Sequence, residues 1–281
     1  MRKLATITVL GKDRTGLVAR ITNFIFQQKA NIEALEEQVT RGQFSMTVQA
    51  SWKPEQLGMR GVEAGLKTLA DELGMEIKLR FTETGRSQRM AIFVTKETHC
   101  LDAILKEWKA GRIKAEPVIV ISNRPDLKSL AERAKIPFFE INYNDRPAAE
   151  KKILAKLDEV GADFIVLARF MKILSPNFVW RFKNKIINIH PSLLPSFPGA
   201  QAYRQAYERG VKIVGVTSHF VTMDLDEGPI ISQGSFNLKP NEPLASLIQR
   251  GQELESKVLI EAIKVYLKNR LDVYWGKVHY L

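Results

Sequence analysis

The sequence predicts two α/β units in series: a ferredoxin-like βαββαβ unit over residues 1–84, then a doubly wound, mostly parallel sheet over residues 85–281. Three observations carry this. Residues 3–81 switch between period-two and helical hydrophobic patterns in the order β, α, β, β, α, β. A polar stretch from Thr82 to Gln88 reads as a linker. From Met90 onward, short continuous apolar runs alternate with helical patterns, as expected of parallel strands buried on both faces.

In the first unit, residues 3–10 read as a strand and Gly11-Lys12-Asp13-Arg14-Thr15-Gly16 as a turn entering a helix. Leu17, Ile21, Phe24 and Ile25 supply that helix with its apolar stripe. Ile32–Thr40 and Gln43–Trp52 read as strands joined by a hairpin at Arg41-Gly42. Residues 55–73 then read as a helix with Leu57, Val62, Leu66, Leu69 and Leu73 on one face, followed by a strand from Met75 to Phe81.

In the second unit the expected strands are Met90–Thr95, Pro117–Ser122, Phe138–Ile141, Phe164–Leu167 and Ile186–His190, with helices at 99–109, 126–134, 146–160 and 176–183. Two further strands, Val214–Thr222 and Gly228–Phe236, flank a turn holding Asp226, and a helix runs from about Leu244 to Leu267. Ligands of such sheets bind outside the carboxyl ends of the strands, where Asn188 and His190 lie.

Composition narrows the class. Hydrophobic residues make up 45% and charged residues 26%, a soluble globular balance. No apolar run nears the roughly 20 residues that span a bilayer, so no membrane partner is expected. The start shows no secretory signal pattern, and a lone cysteine, Cys100, rules out an internal disulfide; both point to a reducing cytoplasm. Nothing marks Cys100 as a catalytic thiolate, and the scarcity of His/Cys clusters argues against a metal. Net charge is +11 and uneven: residues 1–85 hold 12 Lys/Arg against 10 Asp/Glu, the rest 30 against 21. This fits a basic, solvated surface that also attracts an anionic substrate. Nucleic acid is not expected, because the basic residues are scattered with no aromatic interleaving.

The candidate chemistry lies in four segments: Ile187-Asn188-Ile189-His190-Pro191-Ser192-Leu193-Leu194-Pro195, Pro198-Gly199-Ala200, His219-Phe220 and Asp224-Leu225-Asp226-Glu227-Gly228-Pro229. Strand alternation puts Asn188 and His190 on one face. Prolines 191, 195 and 198 stiffen the loop that follows, as a preorganised site requires. An amide can stabilise an oxyanion, an imidazole can shuttle a proton and a carboxylate can orient the imidazole or act as base, which together suit acyl transfer or hydrolysis. Asp224 is a rival to Asp226, and His219 suits either a supporting or a structural role.

These segments resemble the folate-dependent formyltransferase-fold enzymes, a group with glycinamide ribonucleotide transformylases, methionyl-tRNA formyltransferases and 10-formyltetrahydrofolate deformylases, over roughly residues 88–270. The resemblance implies a catalytic trio of Asn188, His190 and Asp226, with His219 near the site and Asp226 favoured over Asp224. It also implies a pteridine pocket around Ala168–Pro176 using Met171, Ile173 and Leu174, with Leu225 contributing. No cofactor is implied, since the formylated folate is the substrate. The stretch Phe93–Leu101 has no glycine for a phosphate cradle and resembles the Ser-Lys-x-x-His-Cys-Leu segment of deformylases. Ala202–Lys212 also resembles the corresponding deformylase stretch. Pro191 and Leu193 depart from that branch and match the transformylases, keeping an amine acceptor open. A folate or amino-acid sensor without turnover is the remaining alternative. Hydrolysis would supply formate for purine synthesis and one-carbon balance.

The first unit resembles the ACT regulatory domain, with Gly11, Asp13, Arg14 and Gly16 at the effector turn. The resemblance implies pairing between chains into a homo-oligomer and a possible amino-acid effector. Glycines at 11 and 16 would allow close backbone approach, and main-chain N–H groups entering the helix suit a carboxylate.

Overall fold

The computed structural model describes residues 2–81, 85–268, 271–274 and 276–280; positions 82–84 of the expected linker lie outside them. The chain divides into two compact units, Met1–Arg86 and Ser87–Leu281.

Unit one contains β1 (Lys3–Lys12), α1 (Leu17–Gln27), β2 (Asn31–Thr40), β3 (Gln43–Trp52), α2 (Met59–Leu73) and β4 (Glu76–Phe81). Its antiparallel sheet has the order β2-β3-β1-β4, so the β1-α1-β2 crossover spans β3 in the ferredoxin-like manner. Alternate residues of β1 and β3, including Ile7, Val9, Met46 and Val48, bury one sheet face against Leu17, Ile21 and Ile25 of α1 and Val62, Leu66 and Leu69 of α2. The second helix is shorter than its apolar stripe predicts. A 3₁₀ turn at Pro54–Gln56 precedes it, Leu57 is extended, and α2 starts only after Gly58. Edge strand β2 is exposed along nearly its whole length, with Leu35 and Val39 open to solvent.

Unit two contains β5 (Gln88–Val94), α3 (His99–Lys109), β6 (Ala115–Ser122), α4 (Lys128–Arg133), β7 (Phe138–Glu140), α5 (Arg146–Glu159), β8 (Phe164–Leu167), α6 (Pro176–Arg181), β9 (Ile186–His190), α7 (Ala202–Glu208), β10 (Ile213–Phe220), β11 (Ile230–Asn237) and α8 (Leu244–Leu267). The seven-stranded sheet has the order β11-β10-β9-β8-β5-β6-β7. Pairs from β7 to β9 are parallel, while β10 and β11 join antiparallel. Both faces are covered. In β5, Met90, Ile92 and Val94 enter one core, and Ala91 and Phe93 the other, which explains the unbroken apolar run. After β5 the chain builds outward through β6 and β7, then returns to lay β8 on the other side of β5. The carboxyl ends of β5 and β8 therefore flank a topological switch point, the crevice where such sheets hold ligands.

Two elements escape the hydrophobic patterns. Helix α7 spans seven residues with only Ala202, Tyr203 and Ala206 buried, too short for a readable stripe. A terminal hairpin pairs β12 (Leu271–Tyr274) with β13 (Lys277–Tyr280). Among the described residues, no helix is long and apolar enough to cross a membrane.

Helix α5 begins at an exposed Asp145 cap, whose Oδ1 accepts from Ala148 N–H at 3.1 Å. Asp145→Ala is expected to cost about 1 kcal/mol of stability without moving the binding cleft, measurable by urea unfolding.

Candidate active site

Strand pairing assembles the polar cluster. In β9, Ile187 and Ile189 enter one core, leaving Asn188 and His190 on the opposite face. Antiparallel pairing with β10 sets His219 across from Asn188 and Thr217 across from His190. The chain then turns through residues 221–229. Asp226 sits there in the left-handed region, φ 59°. Phe220 N–H donates to the Pro229 carbonyl at 2.9 Å. Gly228 lies so close to β10 that an added Cβ would stand 1.7 Å from the Phe220 carbonyl oxygen. Glycine at this position therefore lets the turn fold back and carry Asp226 to the histidines.

The distances define a connected cluster. Asp226 Oδ2 lies 3.3 Å from His190 Nδ1, and Asp226 Oδ1 lies 3.9 Å from His219 Nε2. Asn188 Nδ2 is 3.1 Å from His219 Nε2. His219 Nδ1 faces the Phe220 carbonyl at 2.8 Å, and a carbonyl only accepts. The neutral ring thus carries its proton on Nδ1, and its Nε2 accepts from the Asn188 amide. Burial, the largest influence, holds the His219 imidazole below its ordinary value despite the Phe220 carbonyl and the Asp226 carboxylate, so the ring is neutral at neutral pH. This fixes the orientation of Asn188 and leaves its second N–H without a protein partner among the described residues.

His190 is 5% exposed and sits between two acceptors. Its Nε2 lies 3.0 Å from the Phe197 carbonyl, opposite the Asp226 contact at Nδ1. The imidazolium donates to both; the neutral ring donates to one. The loop after β9 supplies a further main-chain contact, Gly199 N–H donating to Asp226 Oδ2 at 2.8 Å. Thr217 and Gln233 pin the loop by bonding the main chain of Ser192 and Leu194. The main-chain contacts of this proline-rich segment to His190 and Asp226 have no sequence signal.

Asn188, His190, His219 and Asp226 line a cleft of about 820 Å³ at the switch point. Met171, Ile173, Leu174 and Leu225 line it too. Met171, Ile173 and Leu225 are 53%, 60% and 55% exposed, an apolar surface open for a flat ring. Asp224 is also on the cleft wall, but is exposed and has no described contact to the histidines; only Asp226 joins them. In unit one, Gly11, Asp13, Arg14 and Gly16 surround the entry to α1. Gly16 adopts φ 88°. Arg14 donates to the Leu73 carbonyl. The room expected beside Gly11 is taken up internally: an added Cβ there would lie 2.3 Å from Met75 Sδ.

A second buried cluster lines the same cleft and escapes sequence reasoning. Glu255 of α8, fully buried, meets Tyr203 of α7, His99 of α3 and Arg169 after β8. These four residues are scattered over the second unit, so no local spacing announces them. His99, Cys100 and Glu255 bring metal-ligand atoms within 4.8 Å of one another. Glu255 is already committed to Tyr203, His99 and Arg169, and a guanidinium beside a cation is unfavourable, so the set fits a metal poorly. Cys100 is fully buried, and desolvation pushes its thiol well above the ordinary range.

Comparison with known proteins gives consistent matches. Residues 88–263 match the formyl transferase family model, and residues 3–80 an ACT domain model. The formyltetrahydrofolate deformylase of Bacillus subtilis (strain 168) is 39% identical over 270 residues, spanning 94% of this chain and 89% of its own. The structure of a formyltetrahydrofolate deformylase from Pseudomonas syringae pv. tomato superposes with a TM-score of 0.68 at 30% identity, covering 100% of this chain and 95% of that one. Glycinamide ribonucleotide transformylase 1 from Symbiobacterium toebii gives a TM-score of 0.67 at 34% identity, covering 73% of this chain and 98% of its own.

Proposed function

We infer the reaction from the premise that this chain belongs to the formyl transferase family and, within it, to the formyltetrahydrofolate deformylases. It is a hydrolase that converts 10-formyltetrahydrofolate to formate and tetrahydrofolate. The observation that carries this reading into chemistry is the meeting of Asn188, His190 and Asp226 in one cleft with an apolar wall.

In our reading, water attacks the formyl carbon, its oxygen becomes an oxyanion, and the bond to N10 breaks as N10 takes a proton. Asn188 supports the oxyanion with its second N–H, held in place by His219. Asp226, beside His190, takes the proton from water and returns it to N10 as the C–N bond breaks. His190 donates towards the substrate by exchanging the Phe197 carbonyl for it, as catalytic hydrogen bonds commonly rearrange on substrate binding. Met171, Ile173, Leu174 and Leu225 hold the pteridine, and the basic second unit favours an anionic folate.

His219 acts through Asn188 as a neutral acceptor. Its folded value is depressed, so its contribution is complete above the unfolded value of 6.5 and is drawn down as pH falls below it. His219→Gln, which keeps an acceptor, is expected to retain about fivefold more kcat than His219→Leu. Equal losses in a steady-state assay would remove this role.

The exposed strand β2 supports pairing of unit one between chains, and the turn at Gly16 supports an amino-acid effector. The lone buried Cys100 supports a cytoplasmic setting. The deciding experiment is incubation with 10-formyltetrahydrofolate with and without amines. Formate release independent of amine is expected; release that requires an amine would make the chain a transferase, the reading Pro191 and Leu193 favour.

A further inference from the structure

The apolar cleft wall is carried by a loop without regular structure, Ala168 to Ser175, between β8 and α6. Its apolar side chains face two ways: Phe170 and Leu174 are buried, while Met171 and Ile173 are exposed on the cleft. Arg169 holds a left-handed backbone, φ 65°, a conformation that persists where the surroundings over-determine it. Three N–H groups tie the loop's main chain to the body of the unit. Ala168 N–H donates to the Phe93 carbonyl at 2.8 Å. Met171 N–H donates to Thr95 Oγ1 at 3.0 Å, and Ser175 N–H to Glu150 Oε1 at 2.7 Å. The last two acceptors are side chains, one on each side of the exposed Met171–Ile173 stretch.

Both acceptors are themselves fixed. Thr95 is buried just after β5, and its hydroxyl donates to Asn123 Oδ1 at 2.9 Å, which turns a lone pair towards Met171. Glu150 is buried in α5. Its Oε1 also accepts from Tyr143 Oη at 2.9 Å, and its Oε2 accepts from Ser175 Oγ. Ser175 Oγ in turn accepts from Phe178 N–H at 3.2 Å, so its own proton is free for the carboxylate. The Tyr143 ring meets Phe170 edge-on with centroids 5.7 Å apart, and Phe170 meets Phe93 in the same way at 5.3 Å. Tyr143 thereby joins the buried carboxylate to the inward side of the loop. Neither Thr95 nor Glu150 lines the cleft, and no described contact joins either to Asn188, His190 or Asp226.

We propose that Thr95 and Glu150 are positioning residues for the folate: from behind the cleft they clamp the two ends of the Met171–Ile173 wall, so that a flat ring meets a surface already in shape and no loop has to order on binding. This rests on the folate-hydrolase reading and deepens it. Equilibrium binding of tetrahydrofolate to the full chain, measured beside kcat and KM for formate release and amide exchange over residues 168–175, tests it. Thr95→Val keeps the shape and loses the acceptor. It is expected to weaken tetrahydrofolate binding and raise KM by about fivefold, with kcat within about twofold of wild type and faster exchange at the Met171 amide. Thr95→Ser, which keeps the hydroxyl, is expected to restore both constants. Glu150→Ala is expected to weaken binding by about tenfold or more, because it strands Tyr143 Oη and two Ser175 donors. Glu150→Gln keeps an acceptor for Tyr143 and the Ser175 N–H and is expected to stay within about threefold of wild type. If Glu150→Ala fails to fold, the Thr95 pair decides alone. Unchanged tetrahydrofolate affinity in Thr95→Val, even with lower stability in urea, or a loss confined to kcat, would overturn the proposal. A wild type that binds tetrahydrofolate but releases no formate would instead overturn the hydrolase reading and leave the binding comparison standing.

Discussion

Asp226→Asn is expected to lower kcat by about 10³-fold while the folate still binds with nearly unchanged affinity. The change is isosteric, so the turn has no steric reason to move, and one side-chain oxygen can still accept from Gly199 N–H. What disappears is the negative charge 3.3 Å from His190 Nδ1 and the only carboxylate among the described residues that touches both histidines. Without it no group at that place takes the proton from water. The apolar wall of the cleft proposed to hold the pteridine, Met171, Ile173, Leu174 and Leu225, is untouched by the change. Single-turnover formate release and equilibrium folate binding, measured on the same preparation, separate the two effects. Retained turnover would remove Asp226 from the mechanism; lost folate binding would make its role structural.

The reach of sequence reasoning can be judged from particular residues. The order of strands and helices follows from hydrophobic period, because a strand covered on both faces, such as Ile92 with Phe93, must be continuously apolar. Asn188 and His190 stand out for a local reason, being two polar residues at alternate positions in an apolar strand. Asp226 is set apart from Asp224 in the sequence only by the family resemblance; the close packing of Gly228 on Phe220 that carries it to the histidines is visible only in the fold. The rest depends on contacts across long sequence separations. The start of α2 is displaced from its stripe because the apolar period passes through Leu57, yet Gly58 interrupts the helix there. The carbonyl of Phe197 and the N–H of Gly199 belong to the main chain and have no residue signature. Glu255 appears in the sequence as an ordinary acid of a long helix; only the fold brings His99, Arg169 and Tyr203 against it.

Asn188→Ala is expected to reduce kcat by about 10²- to 10³-fold, roughly 3 kcal/mol, with little change in folate affinity, because the lost N–H is needed only as charge develops on the formyl oxygen. The geometry makes a sharper demand than the single variant. His219 has no described contact that would let it act on the substrate except through the amide of Asn188, 3.1 Å away, and the weaker approach to Asp226 at 3.9 Å. Its replacement by leucine should therefore matter only while Asn188 is present. In a double-mutant cycle, Asn188→Ala/His219→Leu is expected to be no slower than Asn188→Ala alone, a coupling about as large as the whole effect of His219→Leu. Additive losses would mean that His219 works by a separate route, through Asp226 or the strand itself. The oxyanion would then depend on an amide oriented by something other than a neutral, buried imidazole.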